Sequence, residues 1–284
     1  MCGIATISIG RRARGRIPYE KLRRLTGELM LELQPRGLDA SGIAVINEPG
    51  TEQSVVFKKP LRPARFTARP MFGEMLQRIG PHTNFVMLHA RATTVGDTSD
   101  NFNNHPIIVP GAIGIHNGTL YNHERLFRQF SNHFPQGGDV DSEVIFRLFR
   151  HYTDRGLSPQ RAIQETSRRL WGAFTGAVID WDHPHRMVMF KNERSLCVVR
   201  IPHYDMVITV SESKFYARAM KRLRIKPKEK VEYVYDGVGF VIDLNAGGRI
   251  VDNLQDFDLP VDTKSWKQQV RPWLRYGADA VTGL

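Results

Sequence analysis

The sequence predicts a layered α+β fold in which antiparallel sheets are covered by helices lying outside them. Short strand-like runs open the chain, helical periodicity fills its middle, and a second series of short strands runs from Gly172 to Leu244. With 284 residues, 41% of them hydrophobic and 24% charged, the chain can bury a substantial core, and no internal repeat or low-complexity segment interrupts it.

The elements follow in order. Gly3 to Ile9 alternates small and β-branched residues as a strand does, and Pro18 to Gln34 places Leu22, Leu25, Leu29 and Leu33 on one helical face before Pro35 and Gly37 end it. GIAVIN and SVVFKK, joined by EPGTEQ, read as a hairpin. TNFVMLHA reads as a strand that enters a long polar loop, RATTVGDTSDNFNNHP, and loops of this length in compact domains tend to be functional or disordered. AIGIHNG reads as a strand stopping at a turn, followed by helices over Asn122 to Phe130, Asp141 to Tyr152 and Ser158 to Leu170. Val144, Ile145, Leu148, Phe149 and Tyr152 form the core stripe of the second. GAFTGAVIDW, RMVMFK, SLCVVRI, MVITV, VEYVY and GFVIDL are the later strands, with a helix over Glu212 to Leu223. The reading places one domain over 1–244 and an irregular tail over 245–284, with Trp266 and Trp273, that wraps the domain or docks elsewhere.

The apolar runs fall far short of the roughly 20 residues a membrane helix needs, and MCGIATISIG lacks a basic start and a long apolar stretch. The expectation is a cytoplasmic protein without membrane contact. Cys2 and Cys197 would both remain thiols in a reducing compartment, and Cys197, inside SLCVVRI, reads as a core thiol. The net charge of +11 suits nucleic acid, anionic substrates or an acidic partner equally well. Its densest cluster, RRARGR, reads as a solvated loop or partner surface, with a phosphate or nucleic-acid contact as the alternative.

Cys2 directly follows the initiator methionine. Aminopeptidases trim Met before a small residue, which would leave a cysteine carrying a free α-amine, of pKa ~8, as its own base. Taken alone, MCGI also suits a small buried residue at the start of a strand. Alone, HNG suits a hairpin turn, Arg91 a surface charge and Asp141 a helix cap.

MCGI is followed in order by RGLDASGIAV, LHARATTVG, NNHP, IHNGTLYNHERL and DVDSEVI. In these motifs the first 240 residues or so resemble the class II glutamine amidotransferase domain, as found in glucosamine-6-phosphate synthase and amidophosphoribosyltransferase. The resemblance implies a four-layer αββα N-terminal-nucleophile hydrolase sandwich that hydrolyses the side-chain amide of L-glutamine through a Cys2 thioester to glutamate and ammonia. It implies an oxyanion hole from Asn117 and Gly118, and a glutamine subsite in which Arg91 and Thr94 receive the α-carboxylate and Asp141 the α-ammonium. Arg36, beside Asp39, would orient the N-terminal residue. No metal or cofactor is called for, since the spacing of His105, His116 and His123 matches no familiar ligand pattern.

Two departures stand out. Ala92 follows Arg91 where family members often carry Trp, and Leu38 replaces an aromatic or proline. The residues after Leu244 are too few for an ammonia-consuming domain, so the expected partner is a separate acceptor synthase subunit, with self-association and nucleic-acid contact left open. The rival reading is a catalytically inactive protein that keeps the fold as a basic binding or scaffold module.

Overall fold

The computed structural model describes residues 1–261. In chain order these form β1 (Gly3–Ile9), α1 (Tyr19–Glu32), β2 (Ala40–Asn47), β3 (Val55–Lys59), α2 (Pro63–Thr67), α3 (Pro70–Gln77), β4 (Thr83–Arg91), β5 (Ile107–Val109) and β6 (Ala112–Leu120). Then come α4 (His123–Gln129), α5 (Glu143–Thr153), α6 (Pro159–Ser167), β7 (Gly172–Asp180), β8 (Arg186–Asn192), β9 (Cys197–Ile201), β10 (Met206–Val210), α7 (Ser213–Arg222), β11 (Val231–Tyr233), β12 (Val238–Asp243) and β13 (Gln255–Asp258).

Two antiparallel sheets result. One has seven strands in the order β11-β9-β10-β1-β4-β2-β3, and the other six in the order β13-β12-β8-β7-β6-β5. Alternation along each strand divides its side chains between two environments. In β1, Ala5, Ile7 and Ile9 pack outward against α1 and α7, whereas Ile4 points to the opposite sheet. In β2, Ile43 and Val45 face outward while Ala44 and Ile46 face inward. A third core lies between the second sheet and α4 to α6, where Val144, Ile145, Leu148 and Phe149 fill the space beneath β6 and β7. Helix, sheet, sheet and helix layers thus stack as the αββα sandwich.

Several local expectations change. HNG lies inside β6, not at a turn, because Asn117 pairs with Thr175 and Gly118 with Phe174 in a ladder that runs on to Leu120. The segment read as a tail from 245 onward includes β13, whose pairing with β12 extends the second sheet beyond Leu244. Only Phe257 of Gln255–Asp258 is buried, so its apolar signal is a single residue. Trp266 and Trp273 lie outside the described residues. RRARGR, read as a solvated loop or partner surface, forms a 3-10 turn in which Arg11, Arg12 and Arg16 are exposed. Arg14 is buried, donating to Asn84 Oδ1 at 2.6 Å and Glu48 Oε2 at 3.0 Å, and Arg11 joins the same carboxylate at 2.6 Å. Cys197 is fully buried in the first core, where desolvation pushes its thiol up to about 11.

Candidate active site

The two-residue strand period assembles the site. It places Cys2 on the same side as Ile4, and in β4 it carries the inward face of Phe85 and Met87 through His89 to Arg91. In β6 it carries the inward face of Ile113 and Ile115 to Asn117. The pairing of Gly3 with Ala90 sets the start of β1 beside the end of β4, so Cys2 lies next to Arg91 and the loop that follows it.

Cys2 is 9% exposed, and its Sγ donates to the Ala92 carbonyl at 3.6 Å. Burial pushes the thiol pKa up and the Asp141 charge adds to this, while the Ala92 contact, the Met1 α-ammonium and Arg91 oppose it. Arg36 donates from Nε to the Cys2 carbonyl at 3.3 Å and from Nη1 to Glu212 Oε1 at 2.6 Å.

The buried Arg91 guanidinium donates to Asn104 Oδ1 at 2.9 Å, Val95 O at 2.5 Å and Gly96 O at 2.9 Å. These contacts curl the 92–96 loop around the cation, leaving N–H groups on Nε and Nη1 outside them. Asp39 fixes the same loop, accepting from Thr93 N at 2.7 Å through Oδ2 while its own amide donates to Arg91 O at 3.0 Å. Thr94 is exposed on this loop.

On β6, Asn117 is fully buried, with neither side-chain atom hydrogen-bonded among the described residues. A buried amide in that state can serve a developing charge without first breaking a protein contact. Beside it, a side chain at Gly118 would place Cβ 1.9 Å from Ala173 O, so this position must remain glycine. Asp141 is buried and accepts from Leu120 N at 2.7 Å. It caps no helix, because α5 begins at Glu143 with Ser142 in the cap position.

Three imidazoles lie behind these residues. His89 shares a hydrogen bond with His116 O at 2.9 Å and stacks on His105 with centroids 4.1 Å apart, and His116 Nδ1 lies 2.7 Å from Ser142 Oγ. Burial lowers His89 to about 3 and His116 to about 4, and holds His105 well below its ordinary value. They are neutral at pH 7. Among the described residues no group of three or more His, Cys, Asp or Glu side chains is placed to hold a metal ion.

Sequence reasoning named Cys2, Arg36, Arg91, Thr94, Asn117, Gly118 and Asp141, and the fold brings Cys2, Arg91 and Asp141 within electrostatic reach of one another. It gave no individual role to Glu212, Ser142, Asn103 and Asn104, although DVDSEVI and NNHP hold the last three. The last two stand in NNHP within the long polar loop, where a pair of amides was the available signal.

Two facing antiparallel sheets between helical layers, with a cysteine leading a central strand, define the N-terminal-nucleophile hydrolase fold. Solved structures agree. A glutamine phosphoribosylpyrophosphate amidotransferase from B. subtilis covers 92% of this chain with a TM-score of 0.64 at 17% identity, the match spanning 50% of that enzyme. An allosteric regulatory enzyme of purine biosynthesis covers 92% with a TM-score of 0.67 at 16% identity, again over 50% of its own length. A family model described as a glutamine amidotransferase domain matches residues 89–216. The glutamine–fructose-6-phosphate aminotransferase (isomerizing) of Geobacillus kaustophilus is 29% identical over 204 residues, and that of Shewanella oneidensis 30% over 201. Both alignments take in 70% of this chain and 30% of the relative, so the chain spans under a third of the length of these enzymes. The chain carries a class II glutamine amidotransferase domain. Among its described residues no helix is long and apolar enough to cross a membrane.

Proposed function

We propose that this domain hydrolyses the side-chain amide of L-glutamine, with Cys2 as nucleophile once Met1 has been removed, and that the ammonia is consumed by a separate acceptor synthase. The observation that carries this reading is that the Cys2 thiol lies against the Ala92 carbonyl while the charges of Arg91 and Asp141 both act on it. A free α-amine on Cys2 takes the thiol proton, and Sγ attacks the amide carbon. The oxygen that gains charge is received by the Asn117 amide and the Gly118 N–H; donors of this kind typically supply ~3–4 kcal/mol in the transition state. The amine returns its proton to the departing nitrogen, the C–N bond breaks to leave a γ-glutamyl thioester and ammonia, and water then releases glutamate. Arg91 with Thr94 receives the α-carboxylate and Asp141 the α-ammonium, while Arg36 holds the Cys2 main chain from the other side.

Ammonia released to bulk water is mostly protonated at neutral pH and lost as a nucleophile, which favours an acceptor enzyme docked on the domain. The relatives named above are aminotransferases more than three times the length of the matched segment, in keeping with chemistry divided between this domain and another body.

The test is intact mass before and after exposure to 6-diazo-5-oxo-norleucine, alongside a glutaminase assay. A chain lacking Met1 that gains one adduct, blocked by glutamine and lost in Cys2→Ala, supports the reading. A chain without Met1 that neither labels nor releases glutamate, even with cell extract present to supply partners, overturns it.

A further inference from the structure

Asn103 touches neither the nucleophile nor the oxyanion hole in the reading above, yet its side chain ties together the two segments that carry the glutamine subsite. It is fully buried. Nδ2 donates to Asp97 O at 2.9 Å, at the end of the loop wrapped around Arg91. Oδ1 accepts from Asp139 N at 2.7 Å and Val140 N at 3.1 Å, directly before Asp141. Glu143 completes the hold, accepting from Gly137 N at 2.9 Å and Gly138 N at 2.7 Å. Four successive amides ahead of Asp141 are therefore captured by two side chains, one of which also grips the arginine loop. The fit is close: Gly96 has φ 80°, and a Cβ there would lie 2.8 Å from Asn103 Cγ.

Few side chains can do this. A carboxamide offers a donor and a two-lone-pair acceptor on one short stem; Asp keeps the acceptor but loses the donor, and an aliphatic residue loses all three bonds.

We propose that Asn103 is a positioning residue that sets the spacing between Arg91 and Asp141, and so the fit of the free α-amino-acid end of glutamine. This rests on the reading in the preceding section. The α-carboxylate and α-ammonium are distant from the amide that breaks and are held alike in ground and transition states, so their misplacement weakens substrate binding more than it slows the chemistry.

The experiment compares the full-length chain with Asn103→Ala and Asn103→Asp, reading steady-state glutaminase kinetics, hydrogen exchange at the Asp139 and Val140 amides, and the rate of Cys2 alkylation by iodoacetamide. In Asn103→Ala, KM for glutamine rises about tenfold or more while kcat falls less than about threefold and alkylation stays within about twofold. Exchange at Asp139 and Val140 accelerates. Asn103→Asp keeps the acceptor and falls between the two; it decides the matter if the alanine variant does not fold. Unchanged KM, or a fall in kcat at constant KM, overturns the proposal. Unchanged exchange overturns the clamp whatever the activity, whereas a parent chain that never turns over glutamine overturns the functional reading.

Discussion

Arg36 and Glu212 form an ion pair at 2.6 Å across 176 positions of sequence, and through it the guanidinium that donates to the Cys2 carbonyl is held from behind by the segment leading into α7. The Cys2 main chain is thus held, through Arg36, by Glu212, a residue outside the ordered short motifs of the sequence. Arg36→Ala is expected to lower kcat/KM for glutamine by about 10- to 100-fold, the scale of a misplaced reacting group. Glu212→Gln, which keeps a hydrogen-bond acceptor, should lower it by only about threefold. Glutaminase kinetics on the two variants check the ranking, and equal losses would show that Glu212 does more than orient Arg36.

Removal of Met1 should change the reactivity of the Cys2 thiol. Burial raises its pKa while Met1 is in place, and a free α-amine on the same residue supplies a base with a pKa near 8. Alkylation by iodoacetamide at pH 7 is expected to be at least about tenfold faster in the processed chain than in one with Met1 blocked against removal. Cys197, buried and raised to about 11, should stay unlabelled in both and serves as the internal reference.

The buried imidazoles predict acid sensitivity. His89 at about 3 and His116 at about 4 lie below the ordinary value of 6.5 because burial opposes their charged forms. Between those values and 6.5 the unfolded chain binds more protons than the folded one, so their contribution to stability is present above 6.5 and lost as pH falls towards 4 and then 3. Each can contribute at most about 1.4 kcal/mol per pH unit. Urea midpoints from pH 7 to 4 should fall, and His116→Gln should flatten the slope.

Gly118→Ala should abolish glutaminase activity and lower stability by about 1–3 kcal/mol or more, because the added Cβ meets the Ala173 carbonyl at 1.9 Å and His116 Nε2 at 2.7 Å. Gly15, where a Cβ meets nothing within 4 Å, provides the control substitution. Thermal melts and activity of the two alanine variants separate the effect of position from that of residue type.

The arginines of RRARGR should divide into two kinds. Arg14→Met strips hydrogen bonds from Asn84, Glu48 and Pro81 O and is expected to cost about 2–4 kcal/mol. The exposed Arg12 should tolerate alanine within about 0.5 kcal/mol. Urea denaturation of both variants tests whether the cluster is structural or a free basic surface.

What the sequence revealed follows its periodicities. The strand from Gly3 to Ile9 shows as alternating small and β-branched residues and that from Thr83 to Arg91 through its apolar run FVML, as fits strands buried on both faces, and the α5 stripe marks the helix layer packed on the second sheet. Helices α2 and α3 stay hidden, since five and eight residues give the 3.6 period little room. β13 shows only Phe257 to a core. In the site, ordered motifs exposed Cys2, Arg91, Asn117 and Asp141, whose chemistry depends on residue type. The contacts of Glu212 and Asn103 depend on long-range geometry, and a single sequence carries no local mark of an ion pair across 176 positions.

Central placement of β1 also has a consequence for biosynthesis. The strand behind Cys2 is flanked by β10 as well as β4, and Ile4 N donates to Ser211 Oγ at 2.9 Å across 207 positions. The strand that follows Cys2 cannot be locked in place until a partner translated some two hundred residues later has emerged. A nascent chain therefore carries an unassembled site until β10 and Ser211 have been made.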